Sequence, residues 1–321
     1  MHIPDGFIDG KTAATTAVLS VAGVGLALRH VRQELPPRRV PLLGLAAAFL
    51  FAAQMLNFPV AAGTSGHLIG GTLVAALLGP SAAVVVVTTV LIVQCFLFAD
   101  GGVSALGANV FNMALLGSVG GYAVYRLLSR LLRGARGRIT ALAFAGWFST
   151  VLAAVGCAGQ LAWSGTIGWA AAFTAMTSVH LLIGLGEGLI SALVFAGVER
   201  ARPDLLQQPD ANAPRRGWGV FVVYGLLVSL GLAVFVAPFA SSWPDGLEAV
   251  AEKFGFAGRA VAPAVTAPVA EYAMPGVSWT VGATALAGVL GAGVVFALAW
   301  LLGRVLVPRT SGIAPVAEVK P

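Results

Sequence analysis

The chain has 321 residues, of which 58% are hydrophobic and 10% charged, with a formal net charge of +6. In an ordinary soluble domain about a quarter of residues are charged, so this composition excludes one and points to a membrane protein. The positive balance does not imply nucleic acid, because the basic residues sit in short stretches between apolar runs, and Cys95 and Cys157, both inside such runs, suggest neither a disulfide framework nor a thiolate metal site.

The chain opens Met1-His2-Ile3-Pro4-Asp5-Gly6. A histidine beside a free α-amine can chelate through the Met1 amine, the His2 backbone nitrogen (if the ion displaces its proton) and the near His2 ring nitrogen. These three nitrogens need a fourth donor, and an all-nitrogen tetragonal set suits Ni(II) or Cu(II) better than Zn(II). The alternative is a histidine on a frayed terminus. Initiator methionine is trimmed before small residues, and histidine is large, so Met1 is expected to remain. Asp5 and Asp9 precede Lys11, the reverse of a signal peptide's basic start, so the first span is expected to be retained.

Apolar runs near the ~20 residues that cross a bilayer predict spans at 12–28, 41–57, 68–79, 81–98, 105–125, 139–161, 178–199, 218–238 and 278–303, the third short and the stretch 164–177 interfacial. In the second, Gly44, Ala48 and Ala52 form a small face for packing or for a partner. After Asn57 comes Gly63-Thr64-Ser65-Gly66-His67, whose glycines permit unusual backbone and whose histidine lies at a helix mouth. Gln94, Asp100, Asn109 and Asn112 flank the turn Ala99-Asp100-Gly101-Gly102. His180 and Glu187, seven residues apart, share one helix face. Ionisable groups inside a span suggest a functional site, although Glu187 could equally be an interhelical link, and His30 falls in an arginine-rich loop.

Basic residues alternate between the connections. Sixteen fall on one side (Arg29, Arg32, Arg38, Arg39, Arg126, Arg130, Arg133, Arg136, Arg138, Arg200, Arg202, Arg215, Arg216, Arg304, Arg309 and Lys320) and three on the other (Lys11, Lys253 and Arg259). The positive-inside rule then puts the N-terminus outside and the C-terminus in the cytoplasm. His2 and His67 thereby share the outer side, which makes His67 the natural fourth donor. The expected fold is an all-α polytopic membrane protein: a seven-helix core over 1–200, a cytoplasmic linker over 201–217 with Pro203, Pro209 and Pro214, and a two-helix hairpin over 218–321 whose outer loop spans about 241–277.

Met1-His2-Ile3-Pro4-Asp5-Gly6-Phe7, Gly63 to His67, Gln94 to Phe98 with Asp100-Gly101-Gly102, Gly107-Ala108-Asn109 and His180 to Glu187 resemble, in order, the motifs of the CbiM/NikM substrate-binding components of energy-coupling factor transporters. Pro244-Asp245-Gly246-Leu247-Glu248 resembles the PDGLE module of the small N component, often fused behind an M component in nickel systems. Cys95 and Ala99 are the minor departures. The resemblance implies Ni(II) or Co(II) as transported substrate, held by Met1, His2 and His67, with Asn57, Ser65, Asp100, His180 and Glu187 as surrounding polar groups. It also implies a transmembrane T component and ATPase A subunits as partners, in the inner (cytoplasmic) membrane and its lipid.

The chain itself lacks a nucleotide site, since Gly6 to Thr12 is one residue short of a P-loop. An enzyme reading would use His180 and Glu187, which lack a zinc-protease spacing. A receptor would need a cytoplasmic signalling domain. Nickel is favoured over cobalt by the planar nitrogen set and the fused tail. Because imidazole and amine must lose protons to coordinate, affinity is expected to fall as pH drops through roughly 6.5.

Overall fold

The computed structural model describes residues 1–61, 63–205 and 218–308. Pro209, Pro214, Arg215, Arg216, Arg309 and Lys320 lie outside the described residues. Helices dominate, because in hydrocarbon every backbone N–H must find its acceptor within the segment.

Helix α1 (Gly10–Glu34) starts where the Asp9 carboxylate accepts from the Thr12 N–H at 2.9 Å. That cap accounts for the Gly6 to Thr12 stretch as a helix entrance. The buried stripe of α1 begins with Thr12, Thr16 and Ser20 and continues with Ala27 and Val31, while Val18, Leu19, Val21 and Leu26 face outward. Polar inward and apolar outward is the arrangement of a helix whose solvent is lipid.

Helix α2 (Val40–Gln54) is apolar all round and mostly buried. It leads into an antiparallel hairpin of β1 (Phe58–Ala61) and β2 (Thr64–Gly66), then α3 (Gly71–Leu78) and α4 (Pro80–Phe98). The hairpin corrects the expectation of purely helical structure. Gly63 takes φ 77° at its turn, and the Ser65 side lies fully buried. A continuous helical run follows, made of α5 (Leu106–Asn109), a π-helical stretch (Val110–Gly120) and α6 (Gly121–Leu131). From it, Asn112 exchanges two hydrogen bonds of 2.8 Å with Gln160 of the helix that follows.

Helices α7 (Gly134–Trp163) and α8 (Trp169–Ala201) pack along each other where Gly146 meets Gly188, and an added methyl on Gly188 would sit 2.4 Å from the Ala143 carbonyl. The stretch expected to be interfacial is a turn followed by the first turns of α8, since no residue between Gly168 and Gly184 interrupts helix. Past the linker come α9 (Trp218–Phe235), α10 (Gly246–Lys253) and α11 (Thr280–Leu306). Helix α10 was not expected in the outer loop.

Six described helices, α1, α4, α7, α8, α9 and α11, are long and apolar enough to cross a membrane. Helices α2, with 15 residues, and α3, with 8, are shorter. The chain is a multi-pass membrane protein. One hydrophobic core runs through both halves, with α9 and α11 packed on α2. The Gly44, Ala48, Ala52 face is internal: all three are buried, and a methyl on Gly44 would lie 2.8 Å from the Phe296 carbonyl of α11.

A methyl on Gly121 would lie 1.8 Å from the Thr72 hydroxyl, which is itself bonded to the Gly117 carbonyl at 2.9 Å. Gly121→Val is expected to cost about 1–3 kcal/mol by overpacking. Gly293→Ala, in open space on α11, should be neutral or slightly stabilising. Thermal melting of the detergent-purified chain compares the two, and equal melting temperatures would refute the packing account.

Candidate metal centre

The N-terminus is built into the protein. Met1 is 5% exposed and Ile3 fully buried. Asn109 grips Ile3 from both sides: its Oδ1 accepts the Ile3 N–H at 2.8 Å and its Nδ2 donates to the Ile3 carbonyl at 3.1 Å, as does the Gly102 N–H at 2.9 Å. The Asp5 carboxylate accepts from the backbone of Val103 and Ser104 and from the Ser104 hydroxyl. Gly101 takes φ 94° here, and a side chain would press on the Asn109 amide. The frayed-terminus alternative is thereby excluded.

The second limb is β2 and the turn behind it. The carboxylate of Glu187 on α8 accepts the Ile69 and Gly70 N–H groups at 2.6 and 2.8 Å, fixing the backbone that follows His67. His67 Nδ1 lies 3.2 Å from the Leu68 carbonyl, so the hydrogen-bond network assigns the proton to Nδ1. The lone pair of Nε2 then faces the Met1 amine, 2.6 Å away. The His2 and His67 ring centroids are 5.1 Å apart.

The third limb comes from the far end of the chain. Ser65 donates its N–H to the Pro244 carbonyl at 2.9 Å and its hydroxyl to the Trp243 carbonyl at 2.7 Å. Asp245 then caps α10, with Oδ1 accepting from Leu247 and Glu248, while Glu248 accepts the Asp245 N–H, a reciprocal capping box. Its other oxygen, Oδ2, accepts from the Met1 amine at 2.6 Å and stands 4.0 Å from His67 Nε2. Gly246 rests on the His180 ring, where a methyl would come within 2.7 Å.

Burial first, and then the N-terminal charge, push the His2 and His67 imidazoles from 6.5 down to about 3. Both rings are therefore held as neutral donors at neutral pH. Burial works to raise Asp245, but the N-terminal ammonium and His67 outweigh it and hold the carboxyl well below its usual range. Burial raises Asp100 even though the Tyr272 hydroxyl donates to it at 2.6 Å.

Two nitrogens about 2 Å from one ion and at right angles stand about 2.9 Å apart, close to the 2.6 Å between the Met1 amine and His67 Nε2. His2 Nδ1 is buried without a hydrogen-bond partner, an orphaned donor of the kind an ion would satisfy. Among the described residues no three His, Cys, Asp or Glu side chains form a conventional metal cage. Any site here depends on amine and backbone donors.

Met1, His2 and His67 thus meet. Asp100 stands beside them, its Oδ1 3.7 Å from His2 Nδ1. The other expected polar groups act as framework. Ser65 holds the Trp243-Pro244 backbone, Asn57 accepts the Ser241 N–H on its carbonyl, Glu187 holds Ile69 and Gly70, and His180 bonds the Met176 carbonyl at 2.7 Å and packs on Gly246. In the sequence Asp245 stands in the PDGLE-like segment of the outer loop. Its spacing to Glu248, D-x-x-E, was the readable cap signal, whereas its partner, 244 residues away, left none.

The CbiM family, described as the cobalt uptake substrate-specific transmembrane region, matches residues 2–205, and the PDGLE domain matches residues 219–308. A putative fused nickel transport protein NikMN of Archaeoglobus fulgidus is 36% identical over 306 residues, covering 95% of this chain and 98% of that protein. The cobalt transport protein CbiM of Geobacter sulfurreducens is 31% identical over 268 residues, 79% of this chain and 77% of that one. A crystal structure of a truncated transition metal transporter superposes with a TM-score of 0.58 at 33% identity, covering 63% of this chain and 99% of that chain. The chain therefore belongs to the CbiM family of metal transport proteins, not to a family of enzymes, and carries a PDGLE domain behind its CbiM region.

Proposed function

We propose that this chain captures Ni(II) or Co(II) at the extracytoplasmic face and delivers it inward as the substrate-binding component of an energy-coupling factor transporter. The observation that carries the reading is the buried Met1 amine, directed at His67 Nε2 from 2.6 Å beside the unpartnered Nδ1 of His2. With the His2 backbone nitrogen these supply four nitrogens. The arginine distribution supports an N-terminus outside and a C-terminus in the cytoplasm, and residues 1–200 serve as the metal-binding core with 218–321 as a second module. Energy comes from a T component and ATPase A subunits in the inner membrane.

Nickel is favoured over cobalt. A tetragonal set of four nitrogens suits it, and relatives that share the fused layout, in Archaeoglobus fulgidus and Rhodobacter capsulatus, are named as nickel transport proteins. Copper would bind such donors more tightly, so selectivity rests on geometry and availability.

Cells that co-express the chain with T and ATPase subunits should accumulate radioactive nickel in an ATP-dependent manner. His67→Ala should abolish that uptake and weaken binding by well over tenfold, as loss of even a supporting residue costs about 10- to 100-fold. Unchanged affinity in calorimetry would remove His67 from the donor set. Acetylating the Met1 amine should weaken binding comparably, since a neutral amide is a poor ligand.

Displacement of the His2 amide proton should release a proton on binding. The rings, already neutral down to about pH 3, contribute none at pH 6 to 7.5. Calorimetry in buffers of different ionisation heat measures the release, and none at all would rule out amide coordination.

A further inference from the structure

We propose that Asp245, carried on the PDGLE segment, supplies a carboxylate oxygen as an additional ligand to the ion. The inference rests on the proposed donor set of Met1, His2 and His67 and deepens it. An oxygen and a nitrogen each about 2 Å from one ion and at right angles stand about 2.9 Å apart. Asp245 Oδ2 lies 2.6 Å from the Met1 amine and 4.0 Å from His67 Nε2, values that bracket this separation. The carboxylate cannot readily turn away, because Oδ1 is committed to the N–H groups of Leu247 and Glu248. The Pro244 and Trp243 carbonyls are tied to Ser65, two residues before His67.

The terminal ammonium donates to Oδ2 at 2.6 Å. An ion bound at the amine takes the place of one ammonium proton, so the carboxylate exchanges an ammonium for a metal cation as its charged partner. A buried carboxylate left without a partner is costly, and the arriving ion is the cation that replaces the ammonium. The charge balances as well. Ammonium and carboxylate are together neutral, and so are a divalent ion, a deprotonated His2 amide and the same carboxylate, so the buried site keeps its net charge as ion and protons exchange. Asp100 is the rival carboxylate, but its Oδ2 is engaged by Tyr272 and its Oδ1 is 3.7 Å from the His2 ring.

The test uses the detergent-purified full chain loaded with Ni(II), followed by nickel-edge X-ray absorption and magnetic susceptibility. The natural sequence should give imidazole scattering, an oxygen donor, coordination above four and a paramagnetic ion. Asp245→Asn, which preserves the helix cap, should convert the ion to a planar, diamagnetic four-nitrogen site and weaken affinity about 10- to 100-fold. A planar diamagnetic ion in the unaltered protein overturns the proposal while leaving the nitrogen donors standing. The same follows if Asp245→Asn leaves the spectrum unchanged, or if the oxygen donor is lost in Asp100→Asn and kept in Asp245→Asn. Absence of imidazole scattering in the unaltered protein, or a nickel spectrum unmoved by His67→Ala, overturns the donor set and the proposal together.

Discussion

The structure depends on burying a charged chain terminus. An isolated ammonium taken out of water costs several kcal/mol even after relaxation, and Met1 is buried. The cost is met by contacts that come from three distant parts of the chain. His67 offers a lone pair, Asp245 offers a negative charge, and Asn109 holds Ile3 like a strand partner. Because each partner belongs to a different element, the terminus organises the whole end of the bundle: β2 and its turn, the turn before α5 and the segment leading into α10.

Two buried carboxylates illustrate how scaffold and site are separated. Glu187 spends both oxygens on backbone N–H groups, which saturates it and makes it a clamp for the His67 turn. Asp245 spends one oxygen on a helix cap and directs the other at the amine. The same distinction holds for the histidines. His180 is fixed by the Met176 carbonyl and serves as a surface for Gly246, whereas His2 presents an unpartnered ring nitrogen. Ionisable residues in a span invite a functional reading, but here the α8 pair builds the frame.

That His2 and His67 come together at Met1 was legible because its signals are local. A histidine beside a free amine can chelate, and charge counting predicts the glycine-flanked His67 on the same side. The long apolar runs located the helices for the same reason. What escaped was long-range. The β1–β2 hairpin is only a few residues long, and its strands are specified by burial against Ile183 and the Pro244 backbone, not by alternation. The π-helical turn over Val110–Gly120 reflects the Asn112–Gln160 pair and the packing of Gly117 and Gly121, which composition does not reveal. The framework roles of Ser65, His180 and Glu187 depend on partners more than 100 residues away or on backbone that has no side-chain signature.

The way the walls are tied determines which of them yields most easily. Freeing the terminus would break the Asn109 and Gly102 bonds to Ile3, the three bonds that Asp5 receives from Val103 and Ser104, and the Thr166 bond to the Phe7 carbonyl, and it would expose Ile3, Phe7 and Ile8. At about 1 kcal/mol per hydrogen bond and about 1.5–3 kcal/mol per large apolar side chain, that cost is comparable to a whole domain's stability. The segment before α10 is held to the bundle chiefly through Ser65, the Asn57 carbonyl and the Met1 ion pair. The terminus is thus the more firmly tied wall, and the seam between Asp245 and the Met1–His67 pair is the more lightly tied one.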